Sequence, residues 1–124
     1  MHDFKFKYNE LYCEDVKVAD IAKKVETPFY LYSESTIVSH FRKLDSAFSE
    51  IPHIICYSLK ANSNLAICKT LAKEGCGADV VSGGEIFKAL KSNIKPDKIV
   101  YAGVGKTEEE IKYAIDTKIL MFNI

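Results

Sequence analysis

Lys60 is the residue whose type and setting point most directly to covalent chemistry. It closes the stretch Ile54-Ile55-Cys56-Tyr57-Ser58-Leu59-Lys60. The apolar, β-forming start of that stretch, flanked by Pro52 and by Asn62-Ser63-Asn64, reads as a short buried strand giving way to a turn. A lysine at the carboxyl end of such a strand has two readings. Its stem packs while the ammonium reaches water, or it is an amine nucleophile. In the second reading, burial disfavours the charged form of a group whose free pKa is about 10.4, and the neutral amine attacks an aldehyde as a Schiff-base lysine. Position alone leaves both open, and the rarity of buried lysine weighs toward the first.

Other candidate chemistries fail on spacing. Gly103-Val104-Gly105-Lys106-Thr107 ends like a P-loop, but that motif needs another glycine five positions before Gly105, where Val100 stands. A dinucleotide fingerprint starting at Gly103 needs glycine where Lys106 stands, and fails too. The stretch is read as a loop between a strand and a helix, with Lys106 solvated and Thr107 capping the helix. The four cysteines, Cys13, Cys56, Cys68 and Cys76, include no C-x-x-C pair and have no histidine partner at ligand spacing, so no metal site is expected. Reduced thiols in the cytoplasm are the expectation.

Composition narrows the classes further. The 124 residues carry 17 basic and 17 acidic side chains, with 48% hydrophobic and 27% charged residues. That is ordinary globular composition. No charge excess speaks for nucleic acid or a membrane surface, no apolar run approaches the ~20 residues of a membrane span, and residues 1–5 lack the layout of a secretion signal.

The elements that must position Lys60 emerge from periodicity. Phe4, Phe6 and Tyr8 alternate like a half-buried strand. Val18–Val25 has helical spacing, and Phe29–Tyr32 is a second strand candidate after Thr27-Pro28. Ser33 or Ser35 can cap a helix with Ile37, Phe41, Leu44 and Phe48 in one stripe, stopped by Pro52. Strands then begin near Ile54, Ala78, Lys98 and Lys118, with helices at roughly 63–74, 83–92 and 107–117 between them. Ser82 with Glu85 and Thr107 with Glu110 fit the capping box, and Gly75 with Gly77 form a helix exit. Tyr57 and Tyr101 are core aromatics on their strands. Strand–helix alternation means an α/β fold with a parallel sheet, either open or closed into a barrel; periodicity does not decide which.

The wording around Lys60 adds a resemblance. Tyr57-Ser58-Leu59-Lys60-Ala61-Asn62-Ser63-Asn64, Gly75-Cys76-Gly77-Ala78-Asp79-Val80-Val81-Ser82-Gly83-Gly84-Glu85, Gly103-Val104-Gly105-Lys106-Thr107 and Thr27-Pro28-Phe29-Tyr30-Leu31-Tyr32 stand at the expected spacing. Together they resemble the diaminopimelate decarboxylases, from about residue 4 to the last. Glu26 departs from the glycine usual in that family before Thr-Pro, which affects a turn more than any chemistry.

The resemblance implies an alanine-racemase-like (β/α)₈ TIM barrel, present as its N-terminal part. Residues 1–31 then belong to a β-rich domain and residues 32–124 to the first half of the barrel. It implies pyridoxal 5'-phosphate as cofactor, Lys60 as its Schiff-base lysine, and Asp79 as a cofactor-side carboxylate or else an ordinary satisfied one. The implied activity is decarboxylation of meso-2,6-diaminopimelate to L-lysine in a cytoplasmic homodimer. Phosphate, pyridine-nitrogen and substrate-carboxylate contacts have no counterpart within 124 residues, so a fragment with little activity alone is the expectation. Ornithine, arginine or carboxynorspermidine decarboxylases of the same fold are the rival enzymes, and a non-catalytic pyridoxal-phosphate-binding or decoy subunit is the rival of another class.

Overall fold

Two separate sheets form along the chain, in a computed structural model that describes residues 2–124. Residue 1 of the expected N-terminal segment lies outside the described residues. The first sheet is an antiparallel meander of β1 (Phe4–Lys7), β2 (Glu10–Cys13) and β3 (Val16–Lys17), followed by a five-residue helix, α1 (Val18–Ala22). Tyr8 and Asn9 both have positive φ (50° and 64°), which makes the tight turn that pairs Lys7 with Glu10.

The expected first strand is therefore real but shorter than its alternation suggested. Tyr8 is a turn residue and Phe6 is 74% exposed, not half-buried. Phe29–Tyr32 forms no strand. Its aromatic residues favour extended backbone, but they lead straight into a helix cap, and among the described residues no neighbouring strand completes a ladder with them.

Ser33 caps α2 (Glu34–Ala47), its Oγ accepting from Thr36 N at 3.0 Å. The first sheet is fastened to this cap. Glu14 Oε1 accepts from Ser33 Oγ (2.8 Å) and Ser35 N (3.0 Å), and Asp3 Oδ2 accepts from Ser35 Oγ (2.7 Å). The helix ends at Ala47, so Phe48 rather than Pro52 closes it. None of its apolar stripe is fully buried.

From there strand and helix alternate: β4 (Cys56–Ser58), α3 (Leu65–Lys73), β5 (Gly77–Val80), α4 (Gly83–Lys91), β6 (Ile99–Tyr101), α5 (Glu108–Thr117) and β7 (Met121–Phe122). All four strands run parallel in the order β4-β5-β6-β7. The (β/α) expectation for this part of the chain matches these elements closely. A closed barrel of this kind has eight strands, and the present residues supply four of them.

The helices α3, α4 and α5 exit in the same way, with a left-handed residue followed by an apolar one bonded back to the helix. Gly75 (φ +91°) precedes Cys76, whose N–H reaches Leu71 O. Asn93 (φ 66°) precedes Ile94, which reaches Ala89 O, and Lys118 (φ 60°) precedes Ile119, which reaches Ala114 O. Gly77 does not share the exit with Gly75. It lies in β5, where a Cβ would collide with the Lys98 carbonyl oxygen and stand 2.9 Å from Cys56 Sγ.

The pleat sorts the sheet into two faces. Tyr57, Ala78, Val80, Ile99, Tyr101 and Phe122 share one face and pack with Cys68, Ile86, Ala89 and Ala114 of the helices. Full burial of each large aliphatic in this cluster contributes about 1.5–3 kcal/mol. Cys56, Ser58, Asp79, Val100 and Met121 share the opposite face, and the helices leave it uncovered.

Candidate functional site

The C-terminal edge of the parallel sheet gathers the residues singled out by the sequence. Leu59 continues the β4 ladder by one bond, its N–H donating to Asp79 O at 3.0 Å, and its side chain is fully buried in the core. Lys60 comes next, in the turn, and is solvent-exposed. Of the two readings that position left open, the amine reaching water is the one seen here, because Leu59, not Lys60, takes the inward position; these elements leave the amine open on the rim.

The loop that leaves Lys60 is held firmly. Tyr57 donates its hydroxyl to Asn62 O (3.1 Å), and burial pushes that phenol's pKa up. Asn62 Oδ1 accepts from Asn64 N, and Asn64 Oδ1 caps α3 by accepting from Ala66 N at 2.9 Å. Lys88 Nζ on α4 reaches across to Ser63 Oγ at 2.6 Å. Each polar residue of Asn62-Ser63-Asn64 thus fixes the loop that carries Lys60. Tyr57 is a half-buried anchor rather than simply a core aromatic.

Asp79 is half-buried beside Ser58 in register, and Ser58 Oγ donates to Asp79 Oδ2 at 2.8 Å. A half-buried carboxylate keeps its charge at lower cost when a donor faces it. Ser58 is the site residue the sequence did not flag. Its only signal was its place two residues before the lysine, on the face the pleat leaves open.

The other lysine at this edge is placed differently from expectation. Lys106 is half-exposed, as a solvated lysine would be, but its amine is not free. Its Nζ donates to Gly103 O (2.5 Å) and Asn123 O (2.8 Å) and lies 5.2 Å from the Tyr101 ring centroid. The loop turns two carbonyls toward it, so the amine is committed to structure. Among the described residues, Lys60 makes no hydrogen bond or ion pair. Of the two rim lysines, it is the one whose amine is available to react.

The helix caps match expectation in part. Thr107 and Glu110 form the reciprocal capping box. Ser82 Oγ caps α4 by accepting from Glu85 N (3.2 Å), but Glu85 Oε2 accepts from Val81 N (2.8 Å) instead of the Ser82 N–H. The carboxylate overshoots by one residue and fixes the strand exit next to Asp79.

Thiol chemistry is disfavoured. Burial pushes the Cys76 thiol up to about 11 and raises Cys56 and Cys68 as well, which lowers the thiolate fraction of each. Among the described residues no group of three or more His, Cys, Asp or Glu could hold a metal ion, and no helix is long and apolar enough to cross a membrane.

The donor set fits a carbonyl-bearing cofactor: an uncommitted primary amine on a pinned loop, with a charged acceptor held on the adjacent strand. Residues 34–124 match the family described as pyridoxal-dependent decarboxylase, pyridoxal binding domain, and the chain belongs to that family. Within it, the chain is similar to particular enzymes. It is 45% identical to the diaminopimelate decarboxylase of Vibrio cholerae over 122 residues, 96% of this chain and 29% of that one. Against the diaminopimelate decarboxylase of Aquifex aeolicus it is 45% identical over 120 residues, 97% of this chain and 28% of that one. The crystal structure of diaminopimelate decarboxylase from M. jannaschii in co-complex with L-lysine superposes with a TM-score of 0.94 at 39% identity, covering 98% of this chain and 29% of that chain. The chain spans less than a third of the length of each of these relatives.

Proposed function

We propose that this chain carries the cofactor lysine of a pyridoxal-5'-phosphate-dependent decarboxylase that converts meso-2,6-diaminopimelate to L-lysine and carbon dioxide. The observation that carries the reading is the contrast between the two rim lysines: Lys106 is tied to two carbonyls, and Lys60 is open on a pinned loop. The identities of 45% to diaminopimelate decarboxylases support the substrate.

In this reading, Lys60 is the residue that would hold the cofactor through its aldehyde group. When bound, the cofactor supplies an electron-accepting ring for the electron pair left as the substrate carboxylate departs. Lys60 Nζ, a primary amine on the rim, would also serve as a proton carrier for the reaction. Ser58 holds Asp79 toward the same face, where its negative charge favours a cationic partner. The pinned Asn62-Ser63-Asn64 loop limits where the amine can travel, so less orientation is lost on reaction.

The same reading divides the chain into residues 1–31, part of a β-rich domain, and residues 32–124, the first half of the barrel. It places the protein in the cytoplasm as a homodimer. The native protein that carries this chain should release carbon dioxide and L-lysine in equal amounts from meso-diaminopimelate, and Lys60→Ala should abolish both. Turnover confined to ornithine, arginine or carboxynorspermidine would replace the substrate. Full turnover in the Lys60 variant would remove the mechanism.

A further inference from the structure

Glu110 serves two loops at once, and one of them leaves the strand that bears Asp79. We propose that Glu110 is a positioning residue for the candidate site, coupling the loop after β5 to the loop after β6 so that the rim of the sheet holds one shape. The proposal rests on the reading of Lys60 and Asp79 as the cofactor-binding side of the chain.

A capping box engages its carboxylate within one helix. Glu110 does this with Oε2, which accepts from Thr107 N (3.1 Å) and Thr107 Oγ1 (3.2 Å). Its other oxygen does something the motif does not require. Oε1 accepts from Gly83 N at 2.8 Å, across 27 residues of sequence. Gly83 opens α4, so its N–H is one of the donors that a helix start leaves without an internal partner.

Glu110 therefore satisfies the N-termini of two helices, and its carboxyl is held below the usual carboxylate range by the Gly83 and Thr107 donors. Gly83 has no side chain to keep it away: a Cβ there would stand 3.2 Å from Glu110 Cγ. Just upstream, Val81 N is taken by Glu85 and Glu85 N by Ser82. Val81 N and Gly83 N, at the two ends of the β5 exit, are thus each held by a carboxylate, and of the two only Glu110 comes from another unit of the fold.

The rim shows the same device on either side. Lys88 links α4 to the Lys60 loop through Ser63, and Lys106 links the loop after β6 to the end of β7 through Asn123 O. Glu110 is the middle link of this series. A glutamine in its place has one acceptor oxygen, so it can keep the Gly83 bond or the Thr107 bonds but not both.

Amide hydrogen exchange, read by NMR on the full chain, tests the coupling. In Glu110→Ala, exchange at Gly83 should accelerate about tenfold, the loss of one hydrogen bond to a charged acceptor. Exchange at Leu59, bonded to Asp79 O in the ladder, should not change. In the native protein, affinity for pyridoxal 5'-phosphate, read from its absorbance band, should fall several-fold in Glu110→Ala and less in Glu110→Gln. Unchanged Gly83 exchange overturns the proposal, as does equal acceleration at every amide. If Glu110→Ala does not fold, the wild-type acid titration decides: the Gly83 and Thr107 amide shifts must share one midpoint, that of the Glu110 carboxyl, and separate midpoints overturn the coupling. A wild-type protein that binds no pyridoxal phosphate refutes the reading of Lys60 and the proposal with it. Binding with unaltered Gly83 exchange refutes the coupling alone.

Discussion

Replacing Tyr101 with phenylalanine should stabilise the protein. The Tyr101 side chain is fully buried, and its hydroxyl lies beside the Glu110 carboxylate but makes no hydrogen bond of good geometry with any partner. Burying an unpaired hydroxyl costs about 1–3 kcal/mol. The ring's contacts do not depend on that oxygen: Phe122 packs with its centroid 5.8 Å away, and Lys106 Nζ stands 5.2 Å from the centroid. Tyr101→Phe should thus gain about 1 kcal/mol, which for a domain of this size raises Tm by about 4 °C.

Urea unfolding should show a higher midpoint at unchanged slope. The alkaline limb supplies an independent check. Burial, followed by the Glu110 charge, pushes the phenol's pKa up, so the folded protein keeps a proton that the unfolded chain releases above pH ~10. Wild-type stability must then fall with rising pH in that range, and Tyr101→Phe should flatten the fall. A loss of about 1 kcal/mol or more in Tyr101→Phe would refute the reasoning, because it would mean that the hydroxyl is paired with Glu110 in solution.

Gly77→Ala should destabilise by at least about 2 kcal/mol in urea unfolding, because the added methyl meets the Lys98 carbonyl, which belongs to a neighbouring strand's entry and cannot swing away. His53 faces acceptors with both ring nitrogens, Ile51 O at 2.9 Å and Asp45 Oδ1 at 3.0 Å, and its pKa is raised first by the Ile51 carbonyl and then by Asp45. The stability it confers should be complete below its ordinary pKa of about 6.5 and lost as pH rises through the raised value; His53→Gln should remove that slope. Glu14 has its pKa lowered by Ser35 N and Ser33 Oγ, so its contribution should be present above the ordinary carboxylate pKa of about 4.3 and disappear as pH falls through the lowered value. Glu14→Gln should flatten that acid limb of thermal melts. Ser82→Ala should cost about 1 kcal/mol through loss of the α4 cap, measured the same way.

The alternation of strand and helix from Glu34 onward was legible because its signals are local. Short apolar runs, a hydroxyl three residues before a glutamate, and a glycine after an amphipathic stretch each carry their meaning within a few residues. Gly75 was readable for that reason. Lys118 was not, since nothing in a lysine announces the left-handed backbone that repeats the same exit. The tight turn at Tyr8-Asn9 was hidden in a similar way, because the tyrosine continued an apparent strand pattern.

At the candidate site, Lys60 was singled out by its place in the strand pattern and by wording, and Asp79 by the resemblance alone. Their surroundings depend on contacts distant in sequence. Ser58 meets Asp79 only once β4 and β5 are in register, 21 residues apart. The commitment of the Lys106 amine was hidden because its acceptors are backbone carbonyls, one of them 17 residues away, which no side-chain pattern records. The exposure of Lys60 depends on which parts of the fold cover the open face of the sheet, a property of packing rather than of the residues next to it in sequence.

The position at which a reductant fixes the cofactor is the most direct test of Lys60 as the aldehyde-bearing amine. The native protein that carries this chain, treated with borohydride and digested, should yield a pyridoxyl adduct on the peptide containing Lys60, close to one per chain, with Lys106 unmodified. An adduct on Lys106, one spread evenly over the surface lysines, or none at all would contradict that role.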